Sequence, residues 1–188
     1  MKELALHILD IMQNSIAAQA SLIKVVIMAK SETGILETVV EDNGCGMDSD
    51  LLNRTTDPFY TTRTTRKVGL GIPLFKASAE QSGGSFGITS QKGAGTVVTA
   101  AYLVAHIDRP PLGDLAGVIA DTAAAYPAVE IHLLIEGGSG QFVFNSRVVR
   151  QTLGEVPLTE YAVVKWLREY IEEGIKDILG GVLGEIDS

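Results

Sequence analysis

Hydrophobic and polar residues follow a helical period at the start of the chain. The apolar positions keep the spacing of one buried helical face: Leu4, Ile8, Ile11, Met12 and Ile16. Polar residues separated by four, three and four positions follow another face: Glu3, His7, Asp10 and Asn14. Because residues at these spacings share one side of a helix, the pattern predicts an amphipathic first helix with a single polar stripe.

Four short runs rich in β-branched residues predict strands. Residues 22–29 and 35–42 flank a turn-like SETG segment, which is typical of two paired strands. Residues 85–91 and 95–104 flank the turn KGAG in the same way. The sequence therefore predicts two pairs of neighbouring strands after the first helix.

Between the two strand pairs, the pattern changes twice. Residues 49–68 are polar, rich in threonine and without a sustained period, which indicates a mobile loop. A helix is expected from Leu70 to Gln81, because the glycines at 83 and 84 are a usual stop signal. The whole order predicts an α/β two-layer sandwich with a mixed, mostly antiparallel sheet.

The composition shifts at Pro110 and Pro111, which cannot continue a strand or a helix interior. We therefore expect one domain over residues 1–104 and a small α/β appendage over residues 105–188. Within the appendage, the pattern predicts a helix in 112–126, a hairpin in 129–145 and an amphipathic helix in 157–179.

Composition narrows the classes of function. The 188 residues carry a net charge of −8, which argues against a broad nucleic-acid-binding surface. His7, Asp10 and Asn14 interrupt the apolar pattern of the N-terminus, so neither a signal peptide nor a membrane span is expected there. A cytoplasmic location is the default expectation. Cys45 is the only cysteine, which excludes a disulfide framework or a cysteine metal site within one chain.

Asp42, Gly44 and Gly46 follow directly on a predicted strand. Two glycines let the backbone turn sharply and approach a ligand closely. A carboxylate at the strand end could accept a hydrogen bond from an exocyclic amine. The alternative is an ordinary tight turn.

Gly69 and Gly71 adjoin the predicted start of a helix at Leu70, where backbone amides could hold phosphates. The preceding segment is basic, and Arg63, Arg66 or Lys67 could close over negative charge. The alternative is a solvated basic loop.

Asp10 and Asn14 lie one helical turn apart, so a carboxylate and an amide oxygen share one side of the helix. Mg²⁺ prefers such oxygen ligands and keeps several waters beside nucleotide phosphates. A solvated helix face is the alternative interpretation.

Together, in this order, these segments resemble the GHKL family of histidine kinases, gyrase, heat-shock chaperones and mismatch-repair ATPases, over residues 4 to 103. DIMQNSIAA is similar to the N box, EDNGCGMD to the G1 box, DPFYTTR and KVGLGI to the F and G2 boxes, and GAGTVV to the last box. The resemblance implies a Bergerat-type ATP-binding fold with ATP and Mg²⁺ as ligands.

The resemblance also implies individual roles. Asn14 would be the Mg²⁺ ligand, Asp42 would contact the adenine amino group and Thr96 would lie near adenine. Asp10 stands where the ATPase branch has a glutamate general base, and it is one methylene shorter, which argues against efficient hydrolysis. The remaining implied nucleotide contacts are Gly44, Gly46, Met47, Phe59, Thr62, Arg63, Lys67, Gly69, Leu70 and Gly71.

PFYTTR favours the sensor kinase branch. We therefore expect a Mg²⁺-dependent ATP-binding protein that transfers the γ-phosphoryl group to a protein acceptor in regulation. One alternative is a GHKL ATPase that drives a conformational cycle. Another is a non-catalytic ATP-sensing module in which residues 105–188 bind a partner. A homodimer is a further expectation, with the first or last helix as the dimer surface.

His106 is the candidate phosphoacceptor within the chain. His106, Asp108 and Arg109, with Pro111 and Leu112, loosely resemble the phosphoacceptor box of sensor kinases. In this hypothesis Asp108 orients or deprotonates the imidazole. The alternative is that HIDRPPLGD is a rigid linker held by Asp108 and Arg109.

Overall fold

The computed structural model describes residues 3–55 and 71–183 of the chain. The described helices are α1 (Leu4–Ala17), α2 (Ser49–Thr55), α3 (Gly71–Gln81), α4 (Leu115–Ala125), α5 (Ser146–Leu153) and α6 (Tyr161–Leu183). The described strands are β1 (Leu22–Lys30), β2 (Ile35–Asp42), β3 (Ser85–Gln91), β4 (Gly95–Leu103), β5 (Glu130–Gly137) and β6 (Gly140–Asn145). The strands and helices predicted for the first hundred residues lie where the hydrophobic pattern indicates, apart from the loop discussed below.

The described strands form a single sheet in the order β3-β4-β2-β1-β5-β6. Neighbouring strands are antiparallel except for β1 and β5, which are parallel. The predicted α/β sandwich with a mixed, mostly antiparallel sheet is confirmed.

Alternating burial along the strands explains the two layers. In β1, Ile23, Val25 and Ile27 are at most 1% exposed, whereas the residues between them are half-buried. These three side chains lie on the face that α1, α3, α4 and α6 cover with a common hydrophobic core. Each fully buried aliphatic side chain contributes about 1.5–3 kcal/mol to the free energy of folding.

The predicted loop over residues 49–68 is wrong in its first part, where the chain forms α2. The Asp48 side chain accepts a hydrogen bond from the Leu51 backbone N–H (2.9 Å) and so satisfies one open donor of the first helical turn. The sequence pattern also missed α5. There the Asn145 side chain accepts hydrogen bonds from the backbone N–H groups of Arg147 and Val148.

The segment between β4 and α4 returns to the first helix. The carbonyl groups of Pro111 and Leu112 accept hydrogen bonds from the first two backbone N–H groups of α1, both at 2.9 Å. Arg109 is buried, and its Nε donates to the Val104 carbonyl at 2.9 Å. This segment therefore ties the end of β4 to the start of α1.

The sheet is continuous across the predicted boundary between residues 104 and 105, because β5 pairs with β1 over seven residue pairs. That residues 1–104 form a domain of their own stays a prediction. Across residues 3–55 and 71–183, no helix combines the length and hydropathy needed to cross a membrane.

Candidate functional site

The best-defined part of the site is the carboxylate of Asp42 at the end of β2. Asp42 is 8% exposed. Its Oδ2 accepts a hydrogen bond from Ser15 Oγ on α1 at 2.7 Å, and its Oδ1 accepts one from the Gly44 backbone N–H at 2.8 Å. Two donors from different elements therefore fix the orientation of this buried carboxylate.

Two glycines let the chain turn closely around Asp42. A Cβ atom on Gly44 would lie 2.8 Å from the Ala18 carbonyl oxygen. Gly46 has a φ of +60°, and a Cβ atom there would lie 2.0 Å from the Gln91 carbonyl oxygen. The turn thus has space for backbone only at both positions, and Gly46 also needs the left-handed conformation.

The same turn is bonded to the β3–β4 hairpin. The Met47 backbone N–H donates to Ser90 Oγ at 2.8 Å, and Ser90 Oγ lies 2.9 Å from Thr96 Oγ1. Thr96 is opposite Asp42 in the register of β2 and β4. The fold therefore brings Asp42, Met47 and Thr96 together, although the sequence separates Asp42 and Thr96 widely.

The second part of the site is the polar side of α1 where it meets α3. A Cβ atom on Gly71, the first residue of α3, would lie 3.1 Å from Asp10 Oδ2. The Asp10 carboxylate therefore lies at the positively polarised N-terminus of α3. Asn14 follows one turn later on α1, directly before Ser15. Helix α1 thus joins the Asp10 end of the site to the Asp42 end.

Ser15 and Asn43 were not singled out by the sequence reasoning. Ser15 is 1% exposed, and its place beside Asn14 was the available signal. Asn43 Oδ1 accepts hydrogen bonds from the backbone N–H groups of Ser21 and Leu22, both at 2.9 Å. Ser15 orients Asp42, whereas Asn43 holds the start of β1 against the end of β2.

Several predicted nucleotide contacts lie outside the described residues. They are Phe59, Thr62, Arg63, Lys67, Gly69 and Leu70, together with Arg66. Their assignment stays a prediction from the sequence.

His106 is far from Asp42. It follows β4, whose residue Leu103 pairs with Ile35 at one end of β2, whereas Asp42 pairs with Thr96 at the other end. At about 3.3 Å per strand residue, the two ends are roughly 23 Å apart. His106 lines a separate cavity of about 550 Å³, which Lys30 and Val182 also line.

The contacts of His106 differ from those expected for an imidazole activated by Asp108. His106 Nδ1 accepts a hydrogen bond from the Asp108 backbone N–H at 3.1 Å. The Asp108 carboxylate is 3.9 Å from the same nitrogen and is 68% exposed. The backbone of Asp108 therefore holds the ring more closely than its side chain does.

The other two histidines have structural surroundings. His7 is 1% exposed and stacks on Phe75 of α3, with ring centroids 5.0 Å apart. Burial lowers the pKa of His7 to about 4. His132 Nε2 lies 2.6 Å from Glu130 Oε1 and 2.8 Å from Asn145 Nδ2. The hydrogen bond with His132 lowers the pKa of Glu130.

The oxygen atoms of Asp42, Asp10 and Asn14 fit an adenine nucleotide with a divalent cation. Asp42 offers a fixed acceptor in a turn that only glycine can form. Phosphate groups at the start of α3 would meet the Asp10 carboxylate, and two negative groups at one place favour a cation between them. Across the described ranges, no three His, Cys, Asp or Glu side chains form a metal site. A Mg²⁺ ion here would therefore need nucleotide and water oxygens besides those of α1.

Comparison with known proteins covers mainly the N-terminal part of the chain. The family described as Histidine kinase-, DNA gyrase B-, and HSP90-like ATPase matches residues 2–106. The histidine protein kinase DivJ of Caulobacter vibrioides is 35% identical over 98 residues, which are 47% of this chain and 16% of that protein. The signal transduction histidine-protein kinase AtoS of Escherichia coli is 37% identical over 60 residues, which are 32% of this chain and 10% of that protein. The match thus spans less than a fifth of each of these two kinases.

One solved structure extends the likeness beyond that part. The N-terminal domain of a DNA repair protein matches 76% of this chain and 52% of its own chain, with a TM-score of 0.56 and 14% sequence identity. At this identity the likeness shows a common fold.

Proposed function

Because the chain belongs to the family of histidine kinase-, DNA gyrase B- and HSP90-like ATPases, we propose that it binds ATP with Mg²⁺ and transfers the γ-phosphoryl group to a protein acceptor. The observation that carries the proposal is the Asp42 carboxylate, buried and fixed by Ser15 Oγ at 2.7 Å and the Gly44 N–H at 2.8 Å. The match to sensor kinases supports the transfer step.

Asp42 would select adenine. An ionised carboxylate has about four acceptor positions, and the described contacts of Asp42 use two of them. A remaining position can accept the amino hydrogen of adenine. Guanine has a carbonyl oxygen at the equivalent ring carbon, which would meet the carboxylate lone pairs unfavourably. The proposal therefore includes a preference for ATP over GTP.

Asp10, Asn14 and the start of α3 would hold the phosphate end. The backbone N–H groups at the N-terminus of α3 favour negative charge. Mg²⁺, when bound, would supply charge neutralisation between the phosphates and the Asp10 carboxylate. Asn14 would contribute its amide oxygen to the cation. Asp10 lies against the start of α3. From this place it could position the phosphate end of the nucleotide or act as a general base.

His106 remains a proposed acceptor only for transfer between two copies of the chain. The γ-phosphoryl group would lie at the start of α3, whereas a Cβ atom on Gly83, just past the other end of that helix, would lie 3.5 Å from His106 Cδ2. At about 1.5 Å per residue, the length of α3 separates the two by roughly 16 Å, which is too long for direct transfer within one chain. A histidine or hydroxyl group on a separate protein is the other acceptor that the kinase proposal allows.

The fate of a labelled γ-phosphate tests the proposal. The purified chain is incubated with Mg²⁺ and γ-labelled ATP, alone and with a cell extract, beside Asp42→Asn and His106→Ala. We expect label in protein, lost with Asp42→Asn. Label on the chain itself that His106→Ala abolishes would assign the acceptor.

Two results would contradict the kinase proposal. Free phosphate without labelled protein would establish the ATPase alternative. Bound but unreacted ATP would establish an ATP-sensing module.

A further inference from the structure

The β6 strand is an open edge of the sheet. It is the last strand in the sheet order, and among the described residues no strand pairs with its outer side. Residues 140–145 contain no charged side chain and no proline, and Val143 is 57% exposed. Edge strands are usually protected by such charges or prolines against pairing with another chain. This edge lacks both protections.

Aromatic side chains of β6 and α6 contact one another in a row, and we call Phe142, Tyr170 and Trp166 the aromatic ladder. The Phe142 and Tyr170 ring centroids are 5.1 Å apart, and those of Tyr170 and Trp166 are 5.4 Å apart in a nearly parallel stack. Trp166 is 51% exposed and Tyr170 is 39% exposed. A stack of exposed aromatic residues is a common anchor for a protein partner.

The ladder lies on the side of α6 that faces β6. A Cβ atom on Gly174 would lie 2.3 Å from the Phe142 ring, so this side of α6 is in direct contact with the strand. By contrast, the apolar stripe of Leu167, Ile171 and Ile178 is buried in the protein's own core. The surface available to a partner is therefore the aromatic side of α6 and not its apolar stripe.

Acidic residues continue the aromatic side of the helix. Trp166, Tyr170, Glu173 and Asp177 are spaced by four, three and four positions, so they share one face. Within the described part of the chain, neither Glu173 nor Asp177 forms an ion pair, whereas Arg168 on another side of α6 pairs with Asp121. The face beside β6 thus combines aromatic rings with unneutralised carboxylates.

We propose that β6 and the aromatic ladder bind an extended, basic segment of another protein, which adds a strand to the sheet. The main chain of such a segment would bond to the β6 edge. Its arginine or lysine side chains would stack on Trp166 and Tyr170 and pair with Glu173 and Asp177. A second copy fits less well, since two chains of charge −8 would bring like carboxylates together. The proposal does not depend on nucleotide binding.

Synthetic peptides test the chemistry of the occupant. The full chain is titrated by calorimetry with an octapeptide of alternating arginine and valine, with its glutamate–valine counterpart, and with the arginine peptide N-methylated along one edge. Trp166 is the only tryptophan, so its fluorescence reports binding at the ladder directly. We expect saturable binding of the arginine peptide with a change in emission, no binding of the acidic peptide, and at least tenfold weaker binding after methylation. Equal binding of both charges, insensitivity to methylation or no binding would overturn the proposal.

Paired variants test the location. Glu173→Lys should weaken binding of the arginine peptide roughly tenfold more than Glu172→Lys, which makes the same charge change on the side of α6 away from the ladder. Trp166→Ala should weaken it roughly tenfold, whereas Tyr161→Ala, at an 81% exposed position outside the ladder, should not. Equal effects within either pair would overturn the proposal. So would a dimer in sedimentation that Trp166→Ala abolishes, because the occupant would then be a second copy.

Discussion

At the scale of single residues, the site depends on how a buried carboxylate is held. Asp42 has only two described hydrogen-bond donors, and one of them is the Ser15 hydroxyl on a different element. A hydrogen bond to a charged group contributes about 1.5–3 kcal/mol. Ser15 therefore contributes, together with the Gly44 N–H, to the stability of this corner and to the direction in which Asp42 can accept a ligand.

Ser15→Ala should weaken ATP binding about tenfold or more, because Asp42 loses its 2.7 Å donor and the orientation that it imposes. The measurement is calorimetric titration with ATP and Mg²⁺. Ser31→Ala, in the exposed turn after β1 at the other end of the sheet, is the control and should leave affinity unchanged. Unchanged affinity in Ser15→Ala would mean that Asp42 is oriented by other groups.

His7 should make stability depend on pH. The unfolded chain binds a proton at this residue below about pH 6.5. The folded chain binds it only below about pH 4, since burial lowers the pKa of His7 to about 4. The folded state therefore loses stability as the pH falls between these values, by up to about 3 kcal/mol. Urea unfolding at several pH values should show a smaller loss for His7→Leu than for the natural chain. Parallel losses in both proteins would contradict this assignment.

At the scale of elements, the turn after β2 joins the site to the β3–β4 hairpin. Gly46 and Gly93 both have positive φ, but only Gly46 lacks space for a side chain, with a Cβ atom 2.0 Å from the Gln91 carbonyl oxygen. The two glycines therefore separate the cost of backbone conformation from the cost of close approach.

Gly46→Ala should lower the free energy of unfolding by clearly more than Gly93→Ala. The left-handed conformation costs about 1–2 kcal/mol for a residue with a Cβ atom at either position, and Gly46→Ala adds a backbone clash. Denaturant unfolding of both variants measures the difference. Equal costs would show that the turn can move away from β3 without penalty.

Most elements could be predicted from the sequence because their burial follows a local period. β1 and β2 alternate between buried and half-buried residues as the β-branched pattern indicates. α2 was missed because its capping residue, Asp48, stands in a polar segment where a loop is the usual expectation. α5 was missed because its eight residues make only about two turns, too few for a sustained period, although Val149 and Leu153 pack against the core. In both cases a side chain accepts hydrogen bonds from the backbone of the first helical turn, and such a capping residue alone is weak evidence for a helix.

Contacts between distant residues could not be predicted by the same reasoning. The proximity of Asp42 and Thr96 came from a family resemblance, since no local pattern relates residues so far apart. The Ser15 contact with Asp42 depends on how α1 packs against the end of β2, and the distance of His106 from Asp42 depends on the register of β2 and β4. Both become known only from the fold.

At the scale of the whole molecule, β5 and β6, which follow the segment 2–106 that matches the family, complete the sheet. β5 covers the edge of β1 in parallel, over a register that runs from Leu22 to Met28. No periodic pattern indicates this pairing, because about a hundred residues separate the two strands. The appendage predicted from Pro110 and Pro111 thus contributes strands to the same sheet as the Asp42 site.

A chain ending at Ala105 should unfold at a lower denaturant concentration than the full chain. It keeps Asp42, Ser15 and Thr96 but leaves β1 as an open edge and removes the Pro111 and Leu112 acceptors of α1. Equilibrium unfolding by circular dichroism measures the change. An unchanged midpoint would instead support residues 1–104 as an independent domain.

The most direct test of the central claim is calorimetric titration of ATP into the natural chain, Asp42→Asn and Glu41→Gln, all with Mg²⁺. Asp42→Asn keeps the size of the side chain but removes the charge that accepts the adenine amino group. Glu41→Gln makes the same change at an exposed residue that pairs with Lys24. We predict that the natural chain binds ATP saturably and in preference to GTP. The affinity for ATP should fall at least tenfold in Asp42→Asn and stay unchanged in Glu41→Gln. Equal affinity in all three proteins, or equal affinity for GTP, would contradict an adenine site at Asp42.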